Sequence, residues 1–231
     1  MYGATRFVTG RQCLVLVLLL FPARVVPSDE PKTNFERWES EIAAMERRDS
    51  EEKPAKGSIV FVGSSSIRLW DLKQSFPELP VVNHGFGGST VADSVHFLNR
   101  LVLPLEPRTI VFYAGDNDIA QGKSPGTVAR DFRAFVEGVH AKLPEARIVY
   151  LPIKPSPSRE NLLEQQREAN RLVRELSERD PERLVYVDLV TPMLDDKGRP
   201  RPELFVKDQL HLNEQGYALW TKLLAPLLKE K

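Results

Sequence analysis

A chain of 231 residues with 42% hydrophobic and 28% charged side chains has the composition of one globular domain with a sizeable core, which excludes a disordered segment. The 32 basic and 32 acidic residues cancel to zero formal charge. No basic block is long enough to track a phosphate backbone, so nucleic acid is excluded as a partner.

In chain order, the first segment differs from the rest. Arg6 and Arg11 precede an apolar run from Cys13 to Phe21, and no acid comes before Asp29. A positive start and a short apolar stretch read as a secretory signal peptide over residues 1–28, with export to the periplasm or the medium as the consequence. An uncleaved N-terminal anchor and a mistaken start codon are the bland alternatives. The run is too short to span a bilayer comfortably, so no membrane span is expected after processing. Cys13, the only cysteine, comes before the apolar run, where a lipidated cysteine would follow it. Cleavage after Ser28 would remove three arginines, leaving 29 basic against 32 acidic side chains and no thiol at all. A mature chain without thiols has no disulfide framework, cysteine metal site or cysteine nucleophile.

Residues 29–57 read as an N-terminal helix and linker, and 58–231 as the main domain. Phe35, Trp38, Ile42 and Met45 recur at helical spacing and predict a helix over 34–48. Polar residues from Asp49 to Gly57 predict a linker. Five short apolar runs predict strands: Ile59–Val62, Val81–Val82, Ile110–Tyr113, Ile148–Ile153 and Leu184–Val187. Helical stripes lie between and after them, through Val91–Val102, Val128–Val139, 161–178 and 213–229. Strands alternating with helices predict a parallel sheet covered on both faces. In such open sheets the ligand site lies at the carboxyl ends of the strands.

Polar residues collect at those ends. The first strand runs into Gly63-Ser64-Ser65-Ser66, the second into His84-Gly85-Phe86-Gly87-Gly88-Ser89, and the third into Gly115-Asp116-Asn117-Asp118. Asp208-Gln209-Leu210-His211 precedes the last helix. A serine on a tight strand-to-helix turn presents its hydroxyl clear of the sheet, but it needs a base. His211 is the natural base, and Asp208 three residues earlier can steady its second ring nitrogen. The Ser65 and Gly88 backbone N–H groups and the Asn117 side-chain amide form a three-donor oxyanion hole. Each such donor contributes roughly 2.7–4 kcal/mol to the transition state. Ser64, Phe86 and His84 are expected to line the pocket. No metal or cofactor is required.

These four segments resemble, in order and spacing, the SGNH hydrolase superfamily of GDSL-like lipases and acylhydrolases. The resemblance covers nearly all of the chain from Ser58 onward. The family's Ser, Gly, Asn and His fall on Ser65, Gly88, Asn117 and His211, with Asp208 as the acid of its Asp-x-x-His. The contexts Gly-Phe-Gly-Gly-Ser-Thr and Ala-Gly-Asp-Asn-Asp look like the subgroup near platelet-activating-factor acetylhydrolases and bacterial carbohydrate esterases. The resemblance implies an α/β fold, a flavodoxin-like three-layer α/β/α sandwich on a five-stranded parallel sheet. It implies a serine esterase acting on short-acyl, acetyl-type esters of small molecules such as acetylated carbohydrates. The chain departs from the family at Ser64, where an acidic residue normally precedes the nucleophile, and at Ser66, where leucine is usual.

Each motif alone also has a bland reading: Gly-Ser-Ser-Ser as a capped turn, Gly87-Gly88 as a plain turn, Asp208 and His211 as a helix-entry bond. Their conjunction at one sheet edge favours catalysis. Two other classes remain open at this point. One is a catalytically silent glycan-binding module of the same fold. The other is a metal-dependent phosphoesterase using Asp116 and Asp118. Lys154, Ser156 and Arg159, in a proline-rich stretch after the fourth strand, either rim the pocket or stiffen a loop.

Overall fold

The computed structural model describes residues 1–3 and 35–229. Apart from residues 1–3, the leader expectation falls on residues outside them. Among the described residues no helix is long and apolar enough to cross a membrane.

Five strands form one all-parallel sheet in the order β2-β1-β3-β4-β5: β1 Ile59–Gly63, β2 Val81–Gly85, β3 Thr109–Tyr113, β4 Arg147–Tyr150 and β5 Leu184–Tyr186. The period-two alternation of strand side chains sorts the core into two layers. Val60, Val62, Ile110, Phe112, Ile148 and Tyr150 face one layer. Ile59, Phe61, Val111, Tyr113 and Val149 face the other. Both faces are therefore apolar, as a sheet covered on both sides requires.

The first layer is roofed by α1 (Glu39–Glu52), α4 (Val91–His96), α5 (Leu98–Leu101), α7 (Pro125–His140) and α8 (Leu163–Ser177). The second is roofed by α2 (Ser65–Arg68), α3 (Leu72–Ser75) and α9 (Glu214–Lys229). A five-residue helix, α6 (Asp116–Ala120), follows β3. This is the expected three-layer α/β/α sandwich. The strand order reverses beside β1, so the crevice at its carboxyl end is where a doubly wound sheet receives a ligand.

Two helices differ from the sequence expectation. A 3-10 turn over Phe35–Trp38 leads into α1, which continues through Asp49 to Glu52 and ends at Lys53 in the left-handed region. Ile42 and Met45 anchor α1 in the core, each contributing roughly 1.5–3 kcal/mol by burial. The single stripe through Val91–Val102 is broken at Phe97 into α4 and α5. The apolar face survives, because one near-helical residue barely shifts the phase.

Gly63 closes β1 at φ 138°, and a Cβ there would lie 1.9 Å from the Tyr113 carbonyl oxygen. That oxygen accepts the Ser64 N–H at 2.9 Å, the bond that starts the turn carrying Ser65. Gly63→Ala is expected to cost about 3 kcal/mol, from strained backbone and a forced separation of β1 and β3. Urea unfolding at neutral pH measures it. A loss under 1 kcal/mol would mean that the strand ends yield easily.

Candidate active site

Three serines enter α2, and only one reaches the base. Ser64 and Ser66 are buried, at 2% and 1% exposure. Ser65 Oγ lies 3.1 Å from His211 Nε2. His211 Nδ1 lies 2.6 Å from Asp208 Oδ2. The other carboxylate oxygen, Oδ1, accepts the backbone N–H groups of Leu210 and His211, both at 2.9 Å. Gln209, at φ 57°, turns the chain so that Asp208 and His211 share one loop. Partial desolvation pushes the Asp208 carboxyl up, but the His211 ring and the two N–H donors outweigh it and hold the group at about 2.

The oxyanion candidates come from the adjoining loops. Gly88 sits at φ 74°, which only glycine adopts cheaply. Among the described residues the backbone N–H groups of Ser65 and Gly88 have no protein acceptor. Asn117 Nδ2 donates one N–H to the Ser89 carbonyl at 3.0 Å, leaving its second N–H for a ligand. Val91 N–H donates to Asp118 Oδ2 at 3.0 Å, so the loops carrying Gly88 and Asn117 are tied together twice.

Three expected pocket residues are elsewhere. His84 is fully buried: Nδ1 faces the Leu101 carbonyl, and Nε2 meets the Asp49 carboxylate at 2.9 Å. Phe86, also fully buried, packs edge-on against Trp38 and Phe97. Ser64 is buried at the start of α2. His84 is paired with Val62, which belongs to the α1 layer, so its side chain points into that layer rather than over the strand ends. The expectation that these residues line the pocket is corrected accordingly.

Asp116 and Asp118 do not face each other across an open site. Asp116, 4% exposed, is an ion-pair partner of Lys154 Nζ at 3.0 Å and of Arg159 Nη1 at 2.6 Å. Gln166 Nε2 donates to it at 3.3 Å. Asp118 pairs with Lys123 at 2.9 Å. Burial raises the Asp116 carboxyl, but Lys154 and Arg159 outweigh that and hold it below the usual range. Burial likewise works against the Lys154 charge, and Asp116 and Tyr113 overcome it. With protein cations occupying both carboxylates, neither aspartate offers the free oxygens a metal-bridging pair needs. No group of three or more His, Cys, Asp or Glu placed to hold a metal ion exists among the described residues. Arg159 reaches further, donating from Nη2 to Asn117 Oδ1 at 3.1 Å. The proline-rich stretch hinted at these groups, but nothing in the sequence pairs Lys154 with a residue 38 positions away.

Between the α2–α3 turn and α9 runs a groove of about 860 Å³ walled by Leu69, Trp70, Val206, Leu212 and Tyr217. Leu69 and Val206 are exposed at 46% and 40%. Leu69 N–H donates to the Ser65 carbonyl, and Val206 N–H to the His211 carbonyl, so the backbone ties two residues of the groove wall to the pair.

The fold is shared with known proteins. The profile of the GDSL-like Lipase/Acylhydrolase family matches residues 67–219, beginning just after Ser65. Platelet-activating factor acetylhydrolase IB subunit alpha1 of Homo sapiens is 28% identical over 204 residues, covering 83% of each chain. Among solved structures, a Streptococcus pneumonia protein named for platelet activating factor superposes with a TM-score of 0.74 at 21% identity, covering 84% of this chain and 94% of that one. A mutant of Axe2, an acetyl-xylooligosaccharide esterase from Geobacillus, superposes at 0.60 and 15% identity, covering 78% and 97%. These two structures share the fold, and the profile match carries the assignment: the chain belongs to the GDSL-like lipase/acylhydrolase family, the SGNH hydrolases.

Proposed function

We propose that the protein is a serine ester hydrolase that cleaves short-acyl esters, acetyl esters first among them, through an acyl-enzyme. One observation carries the reading: a serine hydroxyl, an imidazole and a carboxylate in series, at 3.1 and 2.6 Å. His211 Nε2 takes the Ser65 proton as Oγ attacks the ester carbonyl. The oxygen of that carbonyl gains negative charge and meets the Ser65 N–H, the Gly88 N–H and the free Asn117 N–H. Collapse expels the alcohol, which takes the proton from His211. A water then repeats the sequence, deprotonated by His211, and releases the acid with Ser65 restored.

The acyl preference draws support from the names of the relatives, an acetylhydrolase and an acetyl-xylooligosaccharide esterase. The alcohol leaves on the His211 side, because that ring protonates it. The groove walled by Val206 and Leu69, whose backbones bond to His211 and Ser65, has room for a bulky alcohol such as a sugar. Export of a chain cleaved after Ser28, with residues 58–231 as the hydrolase domain, belongs to the same proposal.

The test is burst release of p-nitrophenol from p-nitrophenyl acetate, followed by a screen of acetylated sugars against short-chain lipid esters. Ser64→Ala is expected to leave kcat within a fewfold of the parent, since its hydroxyl is buried away from His211. A Ser64→Ala variant without a burst, beside a fully active Ser65→Ala, would reassign the nucleophile. A folded chain that binds acetylated sugars without a burst would be the silent glycan-binding module.

Acidification gives a second test. Asp208 is held at about 2 in the fold against an ordinary 3.8, so its contribution to stability is complete above about pH 4 and fades between 4 and 2. Urea unfolding of the parent and Asp208→Asn in a descending pH series measures that loss. Asp208→Asn is expected to lower kcat by roughly 10⁴-fold, because the amide favours the wrong ring tautomer. A pH–rate profile of both forms checks this. An Asp208→Asn enzyme within tenfold of the parent would overturn the assignment.

A further inference from the structure

We infer that Arg159 is a positioning residue for the oxyanion hole, holding the Asn117 amide in its donating orientation from a buried charge cluster on Asp116 and Lys154. The inference rests on the esterase reading of Ser65 and His211.

A side-chain amide can sit in two orientations that differ only by exchange of its oxygen and nitrogen. With nitrogen toward the ester, Asn117 stabilises an oxyanion. With oxygen there, it repels one. Two bonds choose between them: Nδ2 donates to the Ser89 carbonyl, and Oδ1 accepts from Arg159 Nη2. Exchange would set oxygen against the Ser89 carbonyl and N–H against the guanidinium. Both contacts would turn repulsive. Arg159 also draws electron density from the Asn117 carbonyl, which makes the free N–H a stronger donor.

Arg159 is itself held. Nη1 lies against Asp116 Oδ1, an ion pair without hydrogen-bond alignment, and Lys154 grips the second carboxylate oxygen. Lys154 is 1% exposed and also donates to the Tyr113 hydroxyl at 3.2 Å. Two cations therefore share one carboxylate, leaving a positive charge beside the amide that receives the oxyanion. Burial strengthens its field. The backbone adds a link to the other half of the site. Ser158 N–H donates to the Gln209 carbonyl at 3.1 Å, so the segment that presents Arg159 is bonded to the loop of Asp208 and His211.

Only a guanidinium can bridge this way. Its fork reaches Asp116 with one nitrogen and Asn117 with the other, while an ammonium is a single point charge. Arg159→Lys should therefore keep the pairing with Asp116 and the fold, yet lose the hold on Asn117. A purely structural role would be rescued by lysine.

The experiment measures kcat and KM on p-nitrophenyl acetate for Arg159→Met, Arg159→Lys, Asn117→Ala and the Arg159→Met/Asn117→Ala double variant. Asn117→Ala should lower kcat by roughly 10²–10³-fold. Arg159→Met should lower it by about 10- to 100-fold, a fraction of the donor's own contribution, with KM within about twofold. Arg159→Lys should melt close to the parent and recover little of that kcat. In the Asn117→Ala background, Arg159→Met should cost less than about twofold, because its route of action is gone. Full rescue by lysine, or an undiminished cost in that background, overturns the inference. Side-chain amide NMR signals of Asn117, identified by their loss in Asn117→Ala, give a readout independent of turnover. They should shift and exchange faster in Arg159→Met and Arg159→Lys. Unchanged signals overturn the inference even in a protein without esterase activity, whereas a burst retained by Ser65→Ala overturns the esterase reading alone.

Discussion

Replacing Ser65 or His211 by alanine is expected to lower kcat on p-nitrophenyl acetate by roughly 10⁴- to 10⁶-fold, the largest effect foreseen for any single substitution here. The two act as a unit: a hydroxyl without a base is a poor nucleophile, and a base without a hydroxyl has only water to activate. The double variant should therefore be no slower than either single one, and the multiplied product of the two losses should not appear. The rate left over belongs to the oxyanion donors, which neither substitution touches. Both variants should fold normally, because Ser65 and His211 are partly exposed and support no core packing. Single-turnover kinetics alongside thermal melts separate the two effects. A His211→Ala enzyme within tenfold of the parent would mean that some other group removes the serine proton.

Much of the candidate site is legible because its residues are local in sequence. Asp208 and His211 lie three residues apart in one loop, and Ser65, Gly88 and Asn117 each follow a strand end. Strands with both faces buried read as unbroken β-branched runs, so a parallel sheet followed directly. What failed were inferences from proximity along the chain. His84 and Phe86 stand beside the glycine loop, yet strand alternation sends His84 into the α1 layer, and Phe86 packs there with it. The same alternation, applied residue by residue, would have removed His84 from the pocket. The polar stretch from Asp49 reads as a linker, yet a helix end facing solvent carries charged residues as readily as a linker does. Asp49 gives its carboxylate to His84, 35 residues away. The charge cluster beneath Asn117 was illegible for the same reason. It joins Asp116 to a lysine and an arginine 38 and 43 positions further on, and only the folded sheet brings them within bonding distance.

That cluster carries the largest stability effect expected. Asp116→Asn is predicted to destabilise the fold by roughly 3–5 kcal/mol, because it strands the buried cations of Lys154 and Arg159 against each other with no compensating anion. Lys154→Met should cost distinctly less. It leaves Asp116 paired with Arg159 and replaces an ammonium by an apolar chain of similar length in a site that excludes water. The order of the two variants is the informative result, since a pair contributing only local packing would lose similar amounts from either side. The pH dependence has a definite sign. The Asp116 carboxyl is held below its ordinary value, so the parent's advantage over Asp116→Asn is complete above the unfolded-state carboxylate range and is lost as pH falls through the folded value. Urea unfolding of the parent and both variants, at neutral pH and in a descending series, measures this directly. An advantage that grew on acidification, or a Lys154→Met loss larger than that of Asp116→Asn, would show that the lysine, not the carboxylate, is the member the others cannot do without.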